Sequence, residues 1–206
     1  MSRRVGIVLF ERFELLDVFG PAEVFGVLRD EFELVLVAAD AGPVPSTQGP
    51  RAVADAGFDD CPELDLVLVP GGIGTRSEVE NTSLLAFIRR RAESAQLVLS
   101  VCTGAALLAR AGLLDGRRAT TNKRNFEWVR QQGPRTQWVE QARFVEDGKV
   151  WTSSGVSAGI DMALAVIARL KGAEVAEAVA VGIEHLWQKD PDVDPFAALY
   201  GLGKRV

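Results

Sequence analysis

Four short apolar runs without polar alternation constrain this chain more than any other feature: Val5 to Phe10, Phe32 to Ala39, Leu64 to Val69 and Leu97 to Val101. A strand with one wet face alternates apolar and polar residues, whereas a strand covered on both faces reads as a continuous apolar run. Helical patterns separate several of the runs. Leu15 to Leu28 forms the first, with Gly20-Pro21 near its start, since proline suits a first turn and not a helix interior. Asn81 to Ala95 follows with Asn81 as its cap, then Thr103 to Ala111, ended by Gly112. This succession predicts an α/β fold with a mostly parallel sheet between helices.

The remaining elements are less regular. Prolines and glycines between Gly42 and Phe58 predict a short hairpin or excursion. Glu146-Asp147-Gly148 forms a turn between strand-like pieces at Val139 to Val145 and Lys149 to Thr152. Helical spacing returns at Ala158 to Leu170 and Val175 to Trp187, and from Lys189 onward an irregular tail is expected to pack through Phe196, Leu199 and Tyr200. With no repeat or linker, residues 1–206 read as one domain.

Charge and targeting signals narrow the function. The net charge is −5, and the only basic run is Arg89-Arg90-Arg91, so no basic face for nucleic acid is expected. The apolar stretch after Arg3-Arg4 is cut short by Glu11 and Arg12 and has no cleavage site, which favours a buried strand over a signal peptide. No stretch reaches the roughly 18 apolar residues of a membrane span. Two cysteines, Cys61 and Cys102, make no disulfide scaffold, and a reducing, cytoplasmic setting is the expectation.

Cys102 is the residue that points to chemistry. In Ser100-Val101-Cys102-Thr103-Gly104 it falls where a buried strand gives way to a helix, between small neighbours. This is a cysteine version of the nucleophile elbow, in which a tight turn presents the reactive atom. At a helix N-terminus a thiol pKa is expected to fall from about 8.5 into the range of roughly 3.5–7.5, populating the nucleophilic thiolate. Cys61, in Asp59-Asp60-Cys61-Pro62, has no elbow and reads as structural. Gly71-Gly72 follows another strand, so the backbone N–H groups of Gly72 and Thr103 are candidates for an oxyanion hole. Asp17 lies among apolar residues, and two roles are evenly balanced: a buried acid beside the thiol, or a helix cap. The single histidine, His185, is placed late in the last helix and reads as a packing or surface residue. No ligand spacing for a metal and no phosphate or dinucleotide loop is present, so neither a metal nor a cofactor is expected.

Taken together, these motifs resemble the ThiJ/PfpI superfamily of the class I glutamine amidotransferase-like fold, and within it the isonitrile hydratase group. The resemblance rests on Leu16-Asp17 with Gly20-Pro21, on Pro70-Gly71-Gly72, on Ser100-Val101-Cys102-Thr103-Gly104 and on Gly112-Leu113-Leu114. It continues through Gly116-Arg117-Arg118-Ala119-Thr120-Thr121 and Gly155-Val156-Ser157-Ala158-Gly159-Ile160-Asp161.

The resemblance implies a three-layer, flavodoxin-like sandwich with the nucleophile elbow at Cys102. It implies Cys102 as nucleophile, Asp17 as its acid partner, and Thr103 and Gly72 near the developing charge. Gly71, Ile73, Asn122, Ser154 and Gly155 are the expected substrate contacts. It further implies a homodimer whose pocket is completed across the interface, and a small-molecule substrate. Peptidase-like members carry histidine after the nucleophile, whereas this chain has Thr103. Two departures bear on substrate: Asn122-Lys123-Arg124 stands where hydratases continue with histidine, and Thr152-Ser153-Ser154 stands where they tend to have glycine. Hydration of an isonitrile to an N-substituted formamide is the leading expectation. Glyoxalase- or deglycase-like action on reactive carbonyls is the second. A non-catalytic ligand or redox sensor, related to the N-terminal domains of AraC-type regulators, is the third, disfavoured by a chain that ends at Val206 without room for a DNA reader.

Overall fold

A computed structural model describes residues 2–203; Met1 and, within the predicted tail, Lys204 to Val206 lie outside the described residues. In chain order the elements are β1 (Arg3–Val8), α1 (Leu15–Gly26), β2 (Phe32–Val37), β3 (Gly42–Pro45), β4 (Arg51–Ala54) and β5 (Leu66–Val69). They continue with α2 (Thr75–Glu78), α3 (Thr82–Ser94), β6 (Leu97–Ser100), α4 (Gly104–Arg110), β7 (Arg118–Ala119) and α5 (Phe126–Gln132). β8 (Gln137–Trp138), β9 (Phe144–Asp147), β10 (Val150–Ser153), α6 (Ala158–Lys171), α7 (Ala173–Gly182) and α8 (Phe196–Leu199) complete the described residues.

The main sheet has six strands in the order β2-β1-β5-β6-β10-β9, with every neighbouring pair parallel except β9 and β10. All residues of β5, β6 and β10 are buried, so helices cover both faces of the sheet there. α1 packs on α6 and α6 on α7, while α4 contacts α2, α3 and α5, giving two separate helical groups. The fold is thus α/β around a mostly parallel sheet. The edge strand β2 leaves Glu33 in solvent, which its apolar composition did not announce.

Several predicted bounds shift for physical reasons. Asn81 caps α3 by accepting from Leu84 N–H at 3.1 Å, as expected. α1 starts at Leu15 as expected but ends at Gly26, short of Leu28, and it keeps Pro21 inside, which leaves the Asp17 carbonyl without its helical donor. The strand expected over Val139 to Val145 begins only at Phe144, with the turn at Gly148 in the left-handed region (φ 61°). α7 ends at Gly182, so His185 lies beyond the helix and not inside it. The tail forms the short α8 instead of an irregular stretch, and Phe196, Leu199 and Tyr200 are exposed; the buried contacts come from Asp194 and Ala197.

Candidate functional site

Three strand ends converge to build the site. β1 leads into α1, which carries Asp17 in its first turn; β5 leads into Pro70-Gly71-Gly72; β6 leads into Cys102. Strand order reverses at β1, which stands between β2 and β5, and in open α/β sheets the crevice forms at the carboxyl ends beside that point.

Cys102 has φ 55°, in the left-handed region that costs an ordinary residue about 1–2 kcal/mol. Its surroundings fix that conformation. The Cys102 N–H donates to the Ser154 carbonyl at 3.0 Å, and the Thr121 hydroxyl donates to the Cys102 carbonyl at 2.7 Å. Gly104 has no room for a side chain: a Cβ there would collide with the carbonyl oxygens of Val69 and Pro70. α4 therefore begins flush against the end of β5, which forces the sharp turn at the cysteine.

Asp17 is fully buried, and its Oδ2 accepts the Gly71 N–H at 2.8 Å. Its Oδ1 has no hydrogen-bond partner, and the Cys102 thiol lies beside the carboxyl. The even balance between acid and cap resolves here, because Glu14 occupies the N-cap position of α1 and Asp17 points inward. Burial holds the Asp17 carboxyl well above its ordinary range. The Gly71 N–H and the thiol pull the other way, and Glu14 adds to the rise.

The thiol itself departs from expectation. Cys102 is only 5% exposed, and its pKa is pushed well above the ordinary thiol value instead of below it. Burial is the main cause and the neighbouring Asp17 charge the second; the N–H groups of Thr103 and Val156 oppose both without prevailing. A short helix with a buried sulfur at its start does not offset the loss of water around a thiolate. Cys61 is buried too, and its thiol is also raised by burial.

The predicted companions divide into three groups. Thr103, Gly72, Ile73 and Asn122 line a cleft of about 440 Å³ that reaches Cys102. The Gly72 N–H donates to Thr103 Oγ1 at 3.1 Å, so at rest it is engaged and not free to hold an oxyanion. Gly71 stays behind the cleft wall, where a Cβ would meet Thr103 N at 2.6 Å and Asp17 Oδ2 at 2.9 Å. Ser154 and Gly155 line an adjoining pocket of about 340 Å³ with Leu16, Phe196 and Tyr200, which shares Asn122, Arg124 and Val156 with the cleft. His185 is not among the residues lining the cleft and contacts Asp161 Oδ1 at 2.9 Å. Sequence reasoning missed Glu14, Arg76 and Val156 in the cleft and Thr121 behind it. Thr121 and Val156 had a signal, as parts of the Gly116-to-Thr121 and Gly155-to-Asp161 motifs.

Comparison with known proteins fixes the relationship. The profile of the DJ-1/PfpI family matches residues 3–169. The chain belongs to the DJ-1/PfpI family. Within that relationship it is 36% identical to the isonitrile hydratase of Pseudomonas putida, over 100% of this chain and 91% of the relative. It is also 29% identical to the HTH-type transcriptional regulator GbdR of Pseudomonas aeruginosa, over 85% of this chain but 49% of the regulator. Among solved structures, a ThiJ/PfpI family protein from Pseudomonas syringae superimposes with a TM-score of 0.82 at 30% identity, covering 94% of this chain and 78% of that one. The DJ-1/PfpI fold thus extends past the matched profile into the C-terminal helices. No described helix is long and apolar enough to cross a membrane.

Proposed function

We propose that this protein is a cysteine-dependent enzyme that hydrates isonitriles to N-substituted formamides. The observation that carries the reading is the buried pair at the end of the cleft, the Cys102 thiol beside a carboxyl whose pKa burial raises. An isonitrile carbon accepts a proton and a nucleophile at the same atom, so a carboxylic acid next to a thiol supplies both. Asp17 delivers its proton to the terminal carbon as Cys102 sulfur bonds to it, and the carboxylate takes up the thiol proton, leaving a thioimidate. Water then adds to that carbon with Asp17 shuttling its proton, the C–S bond breaks, and the thiol regains its hydrogen as the formamide is released. One water is consumed per isonitrile, with no change of redox state.

Support comes from the full-length likeness to an isonitrile hydratase and from the raised thiol, which such a route uses in its neutral form. Formamide production from an aromatic isonitrile is the test. Equal rates for the wild type and Cys102→Ala overturn the proposal.

A second reading, a ligand sensor, draws on the same raised thiol together with the likeness to a transcriptional regulator. It predicts saturable binding of a small molecule in the cleft without turnover. We also propose a homodimer, supported by the exposed apolar side chains of Leu16, Phe196 and Tyr200 around the adjoining pocket. Sedimentation equilibrium tests it, and a monomer at micromolar concentration excludes it.

A further inference from the structure

The two guanidinium groups in the cleft are unexplained by hydration of a plain isonitrile. Arg76, from α2, and Arg124 both line the cavity that reaches Cys102. Arg76 is held in place: its Nη2 donates to Asn125 Oδ1 at 3.0 Å, and its guanidinium carbon lies 3.4 Å from the centre of the Trp128 ring. Stacking and one hydrogen bond leave further N–H donors of a planar, fixed group available. Among the described residues, neither Arg76 nor Arg124 has a carboxylate within 4.0 Å. Buried arginines elsewhere do have one, as Arg91 does with Glu63 and Arg143 with Asp161.

The single acid on the cleft wall, Glu14, is turned to a different partner, the amide of Gln48. Two cations therefore face one acid beside the reactive sulfur. Partial burial also lowers the Arg76 pKa by desolvation.

We infer that the cleft selects an electrophile bearing an anionic group, a carboxylate being the best match, with Arg76 as the specificity-determining residue and Arg124 as a more exposed second contact. A guanidinium with a fixed plane accommodates a carboxylate through paired N–H donors. The inference rests on Cys102 being the reacting atom proposed above, and it sharpens that reading by naming a substrate class: isonitriles with a carboxylate elsewhere in the molecule.

The test separates charge selection from the reaction. Cys102 is alkylated with iodoacetate, which is anionic, and with iodoacetamide, its neutral counterpart, and the labelled peptide is quantified over time. The ratio of the two rates removes any effect on thiol ionisation, because both reagents attack the same sulfur. Relative to 2-mercaptoethanol, the wild-type ratio is expected to favour iodoacetate by about tenfold at low salt and to shrink at high ionic strength. Arg76→Gln is expected to lose most of that preference in the ratio, whatever the two absolute rates, and Arg76→Lys to retain part of it. A ratio unchanged by Arg76→Gln overturns the inference. If that happens while Cys102→Ala still abolishes formamide production, hydration stands and only the anionic substrate class falls. If the charge preference is present but no isonitrile is hydrated, the reverse holds.

Discussion

Asp161 carries Arg143 on one carboxylate oxygen: its Oδ2 accepts from Arg143 Nε at 2.9 Å and from Nη2 at 2.7 Å. Its other oxygen receives the Gln188 N–H at 3.0 Å and lies 2.9 Å from His185 Nε2. Asp161 thereby ties α6 to the segment after α7, and both members of the pair are buried.

Removing the acid leaves Arg143 buried without its main counter-charge. Asp161→Ala is expected to cost about 3–5 kcal/mol, the range for breaking a buried pair by removing one member. Urea denaturation is the measurement. A loss below about 1 kcal/mol would mean the pair is solvated and not structural.

Asp17 should act in the opposite sense. Its folded pKa is raised, so the folded state holds the proton above the pH where the unfolded chain releases it, and stability is lost as pH rises from about 4. Asp17→Asn cannot ionise, yet keeps a carbonyl for the Gly71 N–H. At pH 7 it is expected to be more stable than the wild type by about 1 kcal/mol, as is common when a strained functional group is removed. The difference should vanish near pH 4, and hydration should be lost throughout. Thermal denaturation at the two pH values reads both signs.

Because burial and Asp17 hold the Cys102 thiol up, its alkylation by iodoacetamide is expected to rise about tenfold per pH unit from pH 7 to 9 without levelling off. In Asp17→Asn the second of those causes is gone, and the rate at pH 8 should increase. A plateau below pH 7.5 in the wild type would show a thiolate resting state.

Lys123 offers a stability change at alkaline pH. Its pKa is lowered from 10.5 to about 8, chiefly by burial, although Nζ donates to Thr120 Oγ1 at 2.8 Å and to the Ala142 carbonyl at 2.6 Å. Between those values the unfolded chain binds the proton that the folded chain has released, so stability due to this group rises with pH. At about 1.4 kcal/mol per pKa unit, a shift from 10.5 to about 8 bounds the gain at about 3.5 kcal/mol. Relative to Lys123→Met, the wild type should gain stability steadily from pH 8 to 10, measured by urea denaturation.

The layout of the site was legible because its parts follow apolar strands, and a buried strand leaves a mark that periodicity reads. The apolar runs Leu64 to Val69 and Leu97 to Val101 place Gly71 and Cys102 just past the ends of two buried strands. What sequence could not carry was dielectric. The elbow pattern places Cys102 at a helix start, but nothing local tells whether water reaches the sulfur, and that decides the direction of the pKa. Arg76 was equally silent, since its meaning comes from Trp128, 52 residues away in sequence, beneath its guanidinium. The tail failed for a related reason: Phe196 and Tyr200 are apolar yet exposed, and apolar residues do not disclose which of them find a partner.

Gly104 gives the elbow an evolutionary consequence. Every missense change at a glycine codon adds at least a Cβ, and here a Cβ lands on the carbonyl oxygens of Val69 and Pro70. Drift around this cysteine must therefore proceed through the pocket walls, at positions such as Asn122, Arg124 and Ser154. Descendants of this sequence can exchange what they bind while the turn that presents the sulfur stays closed to change.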